Sequence, residues 1–479
     1  MNKLTKNSLQ STDCFELPER VLQFGTGVLL RGLPDYFIDK ANKQGVFNGR
    51  VVVVKSTDGG DANAFAEQDN LYTVCVRGIL DGQDFQENII NSSISRVLSA
   101  KSDWEAILKC VENKEIDIII SNTTEVGLQY VAESILQQSP LSFPAKLLAY
   151  LQHRFVFFQG DASAGMVIIP TELISNNADK LKGILLDLIR FNQLSPAFEA
   201  WVFGANIFCN SLVDRIVPGK PKREILEKLN QELGYQDDLL TVAEVFSLWA
   251  IEGDERVKAK LSFASVDAGV VITEDITKFK ELKLRLLNGT HTLGCGVAFL
   301  SGFKTVKEAM QNADFYQYLH TLMMEELAPS IPYEIDLSES QSFGNKVLER
   351  FMNPHLEHQW LSISLNFSSK MKMRNVPMLL RYYENNGQPP VHFVRGFAAY
   401  LVFMKVVKFE NNTYFGELNQ QSYPINDETA ALFYEKWQLP TQQAVHEILS
   451  DTNLWDIDLS QLPHFETEVL FQVQGFIQA

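Results

Sequence analysis

Residues 20–32 read Arg20-Val-Leu-Gln-Phe24-Gly25-Thr26-Gly27-Val28-Leu-Leu-Arg31-Gly32, and this stretch decides the fold of the amino-terminal half. The apolar run ending at Phe24 predicts a short buried strand. Gly25-Thr-Gly27 predicts a tight turn, and a helix is expected from Val28 to about Ala41. Glycines in such a turn let backbone N–H groups approach a phosphate. The stretch is therefore a candidate nucleotide site. It lacks the third glycine of the dinucleotide fingerprint, and a GxG pattern also occurs in ordinary turns.

The next apolar run makes this stretch part of a parallel sheet. Arg50-Val-Val-Val-Val-Lys55 is typical of a strand that is buried on both faces. A strand, a helix and a strand within about 35 residues form a βαβ unit. The acid that usually holds a ribose diol is missing at the end of the second strand, where Lys55-Ser-Thr stands and Asp58 comes late. The choice between NAD and NADP therefore stays open, with Lys55 either a phosphate contact or a solvated lysine.

Further strands are expected at Ile116–Ile120 and Gly165–Ile169, and a hairpin is expected from Leu71–Val76 and Gly78–Leu80. The first is followed by Ser-Asn-Thr-Thr-Glu-Val-Gly at 121–127 and the second by Pro-Thr-Glu-Leu at 170–173. A doubly wound sheet presents its ligand contacts where parallel strands end, although plain loop chemistry would select the same residue types.

The character of the sequence changes at Ile276, where long helical stretches begin at 276–301, 305–327 and 341–352. An α/β domain followed by a helical domain is therefore predicted. We place the boundary so that the domains are residues 1–272 and 273–479.

The segment Lys283-Leu-Arg-Leu-Leu-Asn288-Gly-Thr-His291 carries polar groups on an apolar helix. In an α-helix, Lys283, Asn288 and His291 would lie within an arc of about 140°. Buried polar groups are either paired or used. The three residues together form a candidate catalytic set, whereas each of them alone also fits a satisfied core position.

A second polar cluster is Ser369-Lys370-Met-Lys372-Met-Arg374. In an extended conformation, Lys370, Lys372 and Arg374 would share one face. Three cations in an acidic chain make a candidate clamp for a carboxylate or a phosphate, and a solvated basic edge is the alternative.

The composition narrows the class of protein. The 479 residues carry a formal net charge of −17, which argues against nucleic acid or an anionic membrane as the main partner. Five scattered cysteines without CxxC, and histidines without HxH or HExxH, predict no metal site and favour a cytoplasmic protein. The first twenty residues have no apolar signal region, and no run approaches roughly 18 apolar residues, so neither a signal peptide nor a membrane span is expected. The oligomeric state is not readable.

Four motifs together resemble the polyol-specific long-chain dehydrogenase/reductase family, which includes mannitol dehydrogenases. They are GTGxxxRG at 25–32, SNTTExG at 121–127, SLVDRIVP at 211–218 and, most specifically, K-x4-N-x2-H at 283–291. The resemblance spans roughly residues 18–460. The segments FGTGVLLRG, VVVVKSTDGG, PTELI and SKMKMR are most similar to the tagaturonate reductase branch of that family.

The resemblance implies an extended Rossmann domain followed by a mostly helical domain, similar to phosphogluconate dehydrogenase, with the active site in the cleft between them. It implies metal-independent hydride transfer between NAD, with NADP not excluded, and a secondary alcohol/ketone pair of a sugar acid. Lys283 matches the general acid/base, while Asn288 and His291 match residues that orient the substrate and its reacting oxygen. Asp214 and Lys370 match residues at the substrate. The residues expected at the cofactor are Phe24, Gly25, Thr26, Gly27, Arg31, Thr123, Thr124 and Glu125.

Two positions depart from the family pattern. Family members carry an asparagine in the turn after a strand, where it contributes to an oxyanion site. The matching position here is Glu172, which is therefore a candidate substrate-binding residue, with Asn176 or Asn177 as possible replacements for the asparagine. The family arginine eight residues before the conserved lysine falls on Ser362, which points to a different substrate contact such as Arg374.

The physical chemistry of the expected reaction fits a lysine acid/base. A free lysine, with a pKa of about 10.4, is a poor base near neutrality, and burial lowers that pKa. Within the family, mannonate oxidoreductase, mannitol dehydrogenase and mannitol-phosphate dehydrogenase are the competing activities. A nucleotide-binding regulatory protein is the alternative outside the enzyme class.

Overall fold

The computed structural model describes residues 1–56, 62–123, 127–136 and 139–478. The chain divides into two compact units. The first contains Met1–Arg77 and Asp84–Ile276, and the second contains Gly78–Gln83 and Thr277–Ala479.

The strands up to residue 273 are, in chain order, β1 (Glu19–Phe24), β2 (Arg50–Lys55), β3 (Tyr72–Leu80), β4 (Gln83–Asn91), β5 (Ile94–Ser99), β6 (Ile118–Ser121), β7 (Val167–Pro170), β8 (Ile207–Phe208), β9 (Ser211–Asp214), β10 (Thr241–Glu244), β11 (Leu248–Glu252) and β12 (Val270–Thr273). The helices of the same stretch are α1 (Val28–Gly32), α2 (Pro34–Lys43), α3 (Ala62–Glu67), α4 (Trp104–Lys109), α5 (Phe143–Phe157), α6 (Asn177–Phe191), α7 (Pro196–Ala205), α8 (Arg223–Leu233) and α9 (Glu255–Lys260).

The central sheet of the first unit has the strand order β5-β2-β1-β6-β7-β8, and each neighbouring pair in it is parallel. The run of four valines in β2 shows why it forms. Val51 and Val53 belong to one buried cluster with Phe37 of α2, whereas Val52 and Val54 belong to another with Leu147 of α5. Successive side chains of a strand point to opposite faces, so an unbroken apolar run needs helices on both sides. The α/β prediction is confirmed.

Two details of the first unit differ from the sequence prediction. The helix expected from Val28 to Ala41 is broken at Leu33, with φ −135° and ψ −79°, because a residue before proline disfavours helical geometry and Pro34 follows. The expected hairpin within 71–80 is wrong, since β3 is one strand. It continues past Arg77, which pairs with Glu244 of β10.

The second unit is mostly helical. Its elements are α10 (Thr277–Leu282), α11 (Thr290–Leu300), α12 (Val306–Met310), α13 (Ala313–Thr321), α14 (Leu337–Phe351), α15 (Trp360–Ile363), α16 (Phe367–Arg374), α17 (Val376–Asn386), α18 (Val391–Phe403), β13 (Lys408–Glu410), β14 (Thr413–Leu418), β15 (Gln421–Ile425), α19 (Ala430–Lys436), α20 (Thr441–Leu449), α21 (Thr452–Trp455) and α22 (Phe465–Gln478). Strands β13, β14 and β15 form a small antiparallel sheet that the sequence prediction did not include.

Helices α11 and α18 pack closely against each other in the second unit, and two glycines permit this. A Cβ on Gly296 would lie 2.7 Å from the backbone of Ala399, and one on Gly396 would lie 2.8 Å from the carbonyl oxygen of Leu293. Removing the side chain at both contact points lets the backbones approach. The close packing holds α11, whose first turn contains His291.

The helix expected at 276–301 is not a continuous α-helix. Residues Lys283–Gly289 form a π-turn between α10 and α11. The expected extended segment at 369–374 is wrong, because these residues belong to α16. In the described part of the chain, no helix is both long and apolar enough to span a membrane.

Candidate active site

The glycine turn after β1 is built for a close approach of its backbone. Gly25 has φ +130°, and a Cβ there would lie 2.9 Å from the carbonyl oxygen of Asn122. A Cβ on Gly27 would meet nothing within 4 Å. Gly25 is therefore required by the turn itself, whereas Gly27 leaves open space beside it. The Phe24 side chain is fully buried in the core, so Phe24 borders the turn through its backbone alone.

A cavity of about 510 Å³ lies beside this turn within the first unit. Its wall includes Thr26 of the turn and Lys55 at the end of β2. The other charged groups in the wall are Lys3, Arg31, Glu67, Lys220 and Asp238. Lys3 forms ion pairs with Glu67 and Asp238. The expected nucleotide site therefore coincides with a cavity in which cations outnumber carboxylates.

Arg31 is a buried part of this wall. Its guanidinium donates a hydrogen bond to the carbonyl oxygen of Leu239 and lies 5.5 Å from the ring centre of Tyr72. Burial lowers the pKa of Arg31 from its ordinary value. The side chain is thus held by the Leu239 backbone and contributes its charge to the cavity.

Glu172 braces the turn that follows β6. Its carboxylate accepts hydrogen bonds from the Thr123 backbone N–H (2.9 Å), the Thr123 hydroxyl (3.1 Å) and the Ser121 hydroxyl (3.2 Å). Only 2% of its surface is exposed, and burial raises its pKa despite these bonds. Both carboxylate oxygens thus face the protein, which favours a role in shaping the turn. Thr124 and Glu125, expected at the cofactor, and Asp58 lie outside the described residues.

The amides after Glu172 are placed differently from each other. Asn177 is fully buried, and its Nδ2 donates to the carbonyls of Glu172 (3.1 Å) and Ser211 (3.0 Å). Asn176 is exposed and has a left-handed backbone at φ 51°. Asn177 is therefore engaged by the backbone, and Asn176 is the accessible amide. Asp214 ends β9 and is 5% exposed.

The π-turn of the second unit contains two members of the expected catalytic set. Lys283 begins the turn, and Asn288 lies five residues later; both are half-buried. In a π-turn the hydrogen bonds run between residues five apart, so these two residues lie on neighbouring turns of the helix. The α-helical angle of about 140° is therefore wrong for this pair, because the inserted residue brings them nearer to one face.

His291, on the first turn of α11, is buried and neutral near pH 7. Its ring stacks on Phe351 with centroids 4.0 Å apart and meets the His358 ring edge-on at 5.2 Å. Burial lowers its pKa well below the ordinary value, and His358, Arg350, Arg374 and Lys370 lower it further. Among the described residues, its Nε2 has no hydrogen-bond partner. A buried, unpartnered ring nitrogen is suited to bind a ligand atom.

The helical conformation of α16 divides the three basic residues of this cluster between different faces. Lys370 and Arg374 are four residues apart and share a face. Arg374 donates through Nη1 to Thr292 Oγ1 (3.2 Å) and to the carbonyl oxygen of Asn288 (3.4 Å). Lys372 faces elsewhere and pairs with Asp456 at 2.8 Å. The expectation of three cations on one face is therefore wrong, and two of them remain beside the π-turn.

Burial changes the acidity of both cations that remain. It lowers the pKa of Arg374 to about 10, and it lowers the pKa of Lys370, helped by the neighbouring Arg374 charge. The Lys370 Nζ donates to the carbonyl oxygen of Ile363 at 3.0 Å. Two partly desolvated cations, each with donors to spare, are suited to bind a planar anion such as a carboxylate.

The sequence reasoning missed two residues that connect these parts, Arg285 and Asn375. Arg285 donates to the carbonyls of Met373 and Arg374, and Asn375 donates to the carbonyl of Gly289. Arg285 stands within the segment from Lys283 to His291, between two leucines, so the rule that buried polar groups are paired or used could have identified it. Within the described ranges, no group of three or more His, Cys, Asp or Glu side chains is arranged to hold a metal ion.

Comparison with known families covers nearly the whole chain. Residues 19–265 match the mannitol dehydrogenase Rossmann domain, and residues 275–476 match the mannitol dehydrogenase C-terminal domain. Altronate oxidoreductase of Bacillus subtilis (strain 168) is 38% identical over 475 residues, which cover 98% of this chain and 94% of that protein.

Two solved structures share the fold. Substrate-free D-sorbitol dehydrogenase has a TM-score of 0.80 at 21% identity, with 98% of this chain and 97% of that chain covered. Mannitol 2-dehydrogenase of Pseudomonas fluorescens, in a ternary complex with NAD and D-mannitol, has a TM-score of 0.67 at 21% identity, with 99% and 97% covered.

Proposed function

We propose, since this chain belongs to the mannitol dehydrogenase family, that it is an NAD-dependent oxidoreductase that interconverts tagaturonate and altronate. The similarity to altronate oxidoreductase extends over almost the full length of both chains, which supports the assignment to sugar acids. The observation that carries the proposal is the position of Arg374, whose guanidinium touches the catalytic turn at Asn288.

The first unit is suited to NAD. The turn at Gly25 and Gly27 offers backbone N–H groups and open space, and the adjoining cavity supplies the cations Lys55 and Lys220 for a pyrophosphate-bearing ligand. The solved mannitol 2-dehydrogenase relative contains NAD, which supports the same cofactor here. Bound NADH supplies the hydride for reduction of a ketone.

Lys283 is the proposed acid/base in this reaction. During reduction, its ammonium donates a proton to the ketone oxygen as the hydride arrives at the carbon, which leaves a neutral amine and an alcohol. During oxidation, the neutral amine accepts the hydroxyl proton. Lys283 is half-buried at the start of the π-turn.

Asn288 and His291 are proposed to bind the reacting oxygen. Their amide and imidazole N–H groups stabilise the negative charge that develops on that oxygen in the transition state. A neutral His291 is a donor without being a competing acid, and its lowered pKa keeps it neutral. Lys283 therefore remains the proton source.

Lys370 and Arg374 are proposed to bind the carboxylate of the sugar acid. They lie on the face of α16 that contacts the π-turn, and Arg374 bonds to the backbone of Asn288 itself. The carboxylate would then be fixed relative to the atoms that react. An uncharged polyol would leave both desolvated cations without a counter-charge, which favours sugar acids over polyols.

The test is oxidation of NADH, followed by absorbance, with tagaturonate, fructuronate, fructose and fructose phosphate. We expect turnover with tagaturonate and much weaker turnover with the uncharged ketose. Turnover with fructose alone would assign a polyol dehydrogenase instead. Binding of NADH without turnover on any of the four would assign a regulatory protein.

We also propose that the reaction takes place in the cytoplasm. All five cysteines are free thiols, four of them buried, as is usual for proteins of reducing compartments. Fractionation of the source cells would test this, and recovery of the protein outside the cytoplasm would contradict it.

A further inference from the structure

Reciprocal hydrogen bonds join the π-turn to the end of α16, and neither proton transfer nor substrate binding accounts for them. Arg285, on the turn, donates through Nη1 to the carbonyls of Met373 (2.7 Å) and Arg374 (2.9 Å). Asn375, directly after α16, donates through Nδ2 to the carbonyl of Gly289 (3.0 Å). Buried polar side chains that serve backbone carbonyls fix the geometry of the segments they join.

The sequence explains why the carboxyl end of α16 needs a hydrogen-bond donor from another segment of the chain. The carbonyl of Met373 would normally accept from the residue four positions later, which is Pro377 and has no N–H. Arg285 satisfies that carbonyl, while its Nε donates to Glu281 at 2.8 Å. Arg285 is only 7% exposed and Asn375 is 0% exposed. Both buried side chains therefore serve the Arg285–Asn375 junction, the set of hydrogen bonds that joins the π-turn to the end of α16.

The other end of α16 is fixed as well. The Ser368 backbone N–H donates to Asp427 Oδ2 at 2.7 Å, and the hydroxyl of Tyr400 donates to Ser368 Oγ at 2.7 Å. The bonds at Ser368 do not depend on Arg285 or Asn375, so the amino-terminal end of α16 stays held when the junction is changed. A change at the Arg285–Asn375 junction would therefore displace the π-turn more than it displaces α16.

The hydrogen-bond register of the π-turn determines whether Lys283 and Asn288 share a face of the helix. A π-turn is rare in proteins and is usually a single inserted residue in an α-helix. Return to an α-helical ladder would rotate Lys283 and Asn288 apart, to about 140°. We propose that Arg285 and Asn375 are positioning residues that maintain the π register and thereby align Lys283 with Asn288 for proton transfer.

This inference rests on the proposed function, in which Lys283 is the acid/base. The hydrogen bonds that join the two segments end on backbone carbonyls, including that of Arg374, and not on the side chains of the carboxylate clamp, Lys370 and Arg374. Their loss should therefore slow the chemical step without weakening the binding of NADH. A merely structural role would instead lower the fraction of folded enzyme and leave the properties of the remaining enzyme unchanged.

The experiment compares Arg285→Met, Arg285→Lys and Asn375→Leu with the wild type, using tagaturonate and NADH. We expect Arg285→Met to lower kcat by about 10–100-fold, the scale of a misplaced catalytic group, with KM for NADH unchanged. The primary isotope effect on kcat with NADH deuterated at C4 should rise, because the chemical step becomes slower than product release. Arg285→Lys keeps the charge beside Glu281 and should recover part of kcat.

Lys372→Met is the matched control, since it removes a cation from the same helix but lies at the surface ion pair with Asp456. Its kcat and isotope effect should equal those of the wild type. A kcat for Arg285→Met that falls only in proportion to the folded fraction, with an unchanged isotope effect, would overturn the inference. So would an Asn375→Leu variant with full activity.

Hydrogen exchange separates this inference from the proposed function. Amides of residues 287–292 should exchange faster in Arg285→Met than in the wild type, with the rest of the second unit unchanged. This measurement needs no turnover, so it remains decisive even if the wild type fails to reduce tagaturonate, an outcome that would refute the function alone. Unchanged exchange across 287–292 would refute the positioning role.

Discussion

The glycine turn of the first unit and the π-turn at Lys283–Gly289 in the second unit differ in how they would present a ligand site. At the glycine turn, side chains are absent: Gly25 has φ +130°, and Gly27 leaves space for another molecule. At the π-turn, half-buried and buried side chains present their polar ends, and a neighbouring helix fixes their backbone. The glycine turn is thus recognisable from the spacing of its glycines, whereas the π-turn depends on a helical register that the residue pattern does not predict.

The proposed mechanism has the cofactor at the glycine turn and proton transfer at the π-turn, and Lys283→Ala should impair proton transfer most severely. We expect kcat to fall by about 10²–10⁴-fold, the usual scale for a lost acid/base group. The dissociation constant of NADH should stay unchanged, since the glycine turn is untouched. Stopped-flow and NADH fluorescence titration would measure the two quantities. A variant that keeps most of its turnover would remove Lys283 from the mechanism.

Substitution in the carboxylate clamp, which consists of Lys370 and Arg374, tests whether these residues beside the π-turn select the substrate. Arg374→Met should raise KM for tagaturonate by about 10–100-fold, because a charge-assisted hydrogen bond is lost. Activity with fructose should change far less. Lys372→Met supplies the charge-matched control on the same helix. Equal losses on both substrates would show that Arg374 supports the fold of the site and does not recognise the acid.

The glycine turn is tested by a pair of alanine substitutions. Gly25→Ala should weaken NADH binding by about tenfold or more, since a strained backbone costs roughly 1–3 kcal/mol and its Cβ would meet the Asn122 backbone. Gly27→Ala meets no protein atom within 4 Å, so the folded protein should tolerate it. Any loss of NADH affinity in Gly27→Ala then reports the approach of the cofactor. Equal NADH affinity in all three proteins would place the cofactor elsewhere.

The smallest expected effect concerns Asp35, a fully buried carboxylic acid in the first turn of α2. Asp35 accepts a hydrogen bond from Gln23 at 3.2 Å, and burial raises its pKa from 3.8 to about 7, with Gln23 and Arg31 opposing the shift. The folded state therefore binds this proton more tightly than the unfolded state does. The resulting stabilisation is complete below about pH 4 and is lost as the pH rises through 7.

Asp35→Asn should reduce the dependence of stability on pH, because the amide stays neutral. Thermal unfolding between about pH 4 and pH 8 would measure it, with the wild type losing stability over that interval and the variant losing less. The same slope in both proteins would show that Asp35 is ionised throughout. His291 contributes in the opposite direction, because its folded pKa lies well below the ordinary value: stability falls as the pH drops through about 6.5, and it does so equally in the wild type and in Asp35→Asn.

Much of the architecture could be predicted from local sequence. The valine run of β2 and the glycine turn after β1 are local signals, and the structure confirms the sheet that they predict. The resemblance to the mannitol dehydrogenase family is confirmed over residues 19–265 and 275–476. The break at Leu33 was also readable, since Pro34 follows it.

Other features depend on contacts between distant segments and were not readable. The π-turn at Lys283–Gly289 is bound by donors from residues 374 and 375, about ninety positions later in the chain. The α16 helix separates Lys372 from Lys370 and Arg374, whereas the alternating basic pattern of SKMKMR suggested an extended segment. The buried Glu172 was expected at the substrate, and its partners at Ser121 and Thr123 appear only once β6 and β7 are adjacent.

The most direct test of the account follows the transferred hydrogen itself. Wild-type enzyme would be mixed with tagaturonate and NADH deuterated at C4, and the sugar acid would be recovered for mass spectrometry and NMR. We expect one deuterium per altronate, at the carbon that carried the ketone, and about 10²–10⁴-fold less altronate from the Lys283→Ala reaction over the same time. Tagaturonate recovered unchanged and unlabelled from the wild-type reaction, with NADH bound but not oxidised, would contradict it.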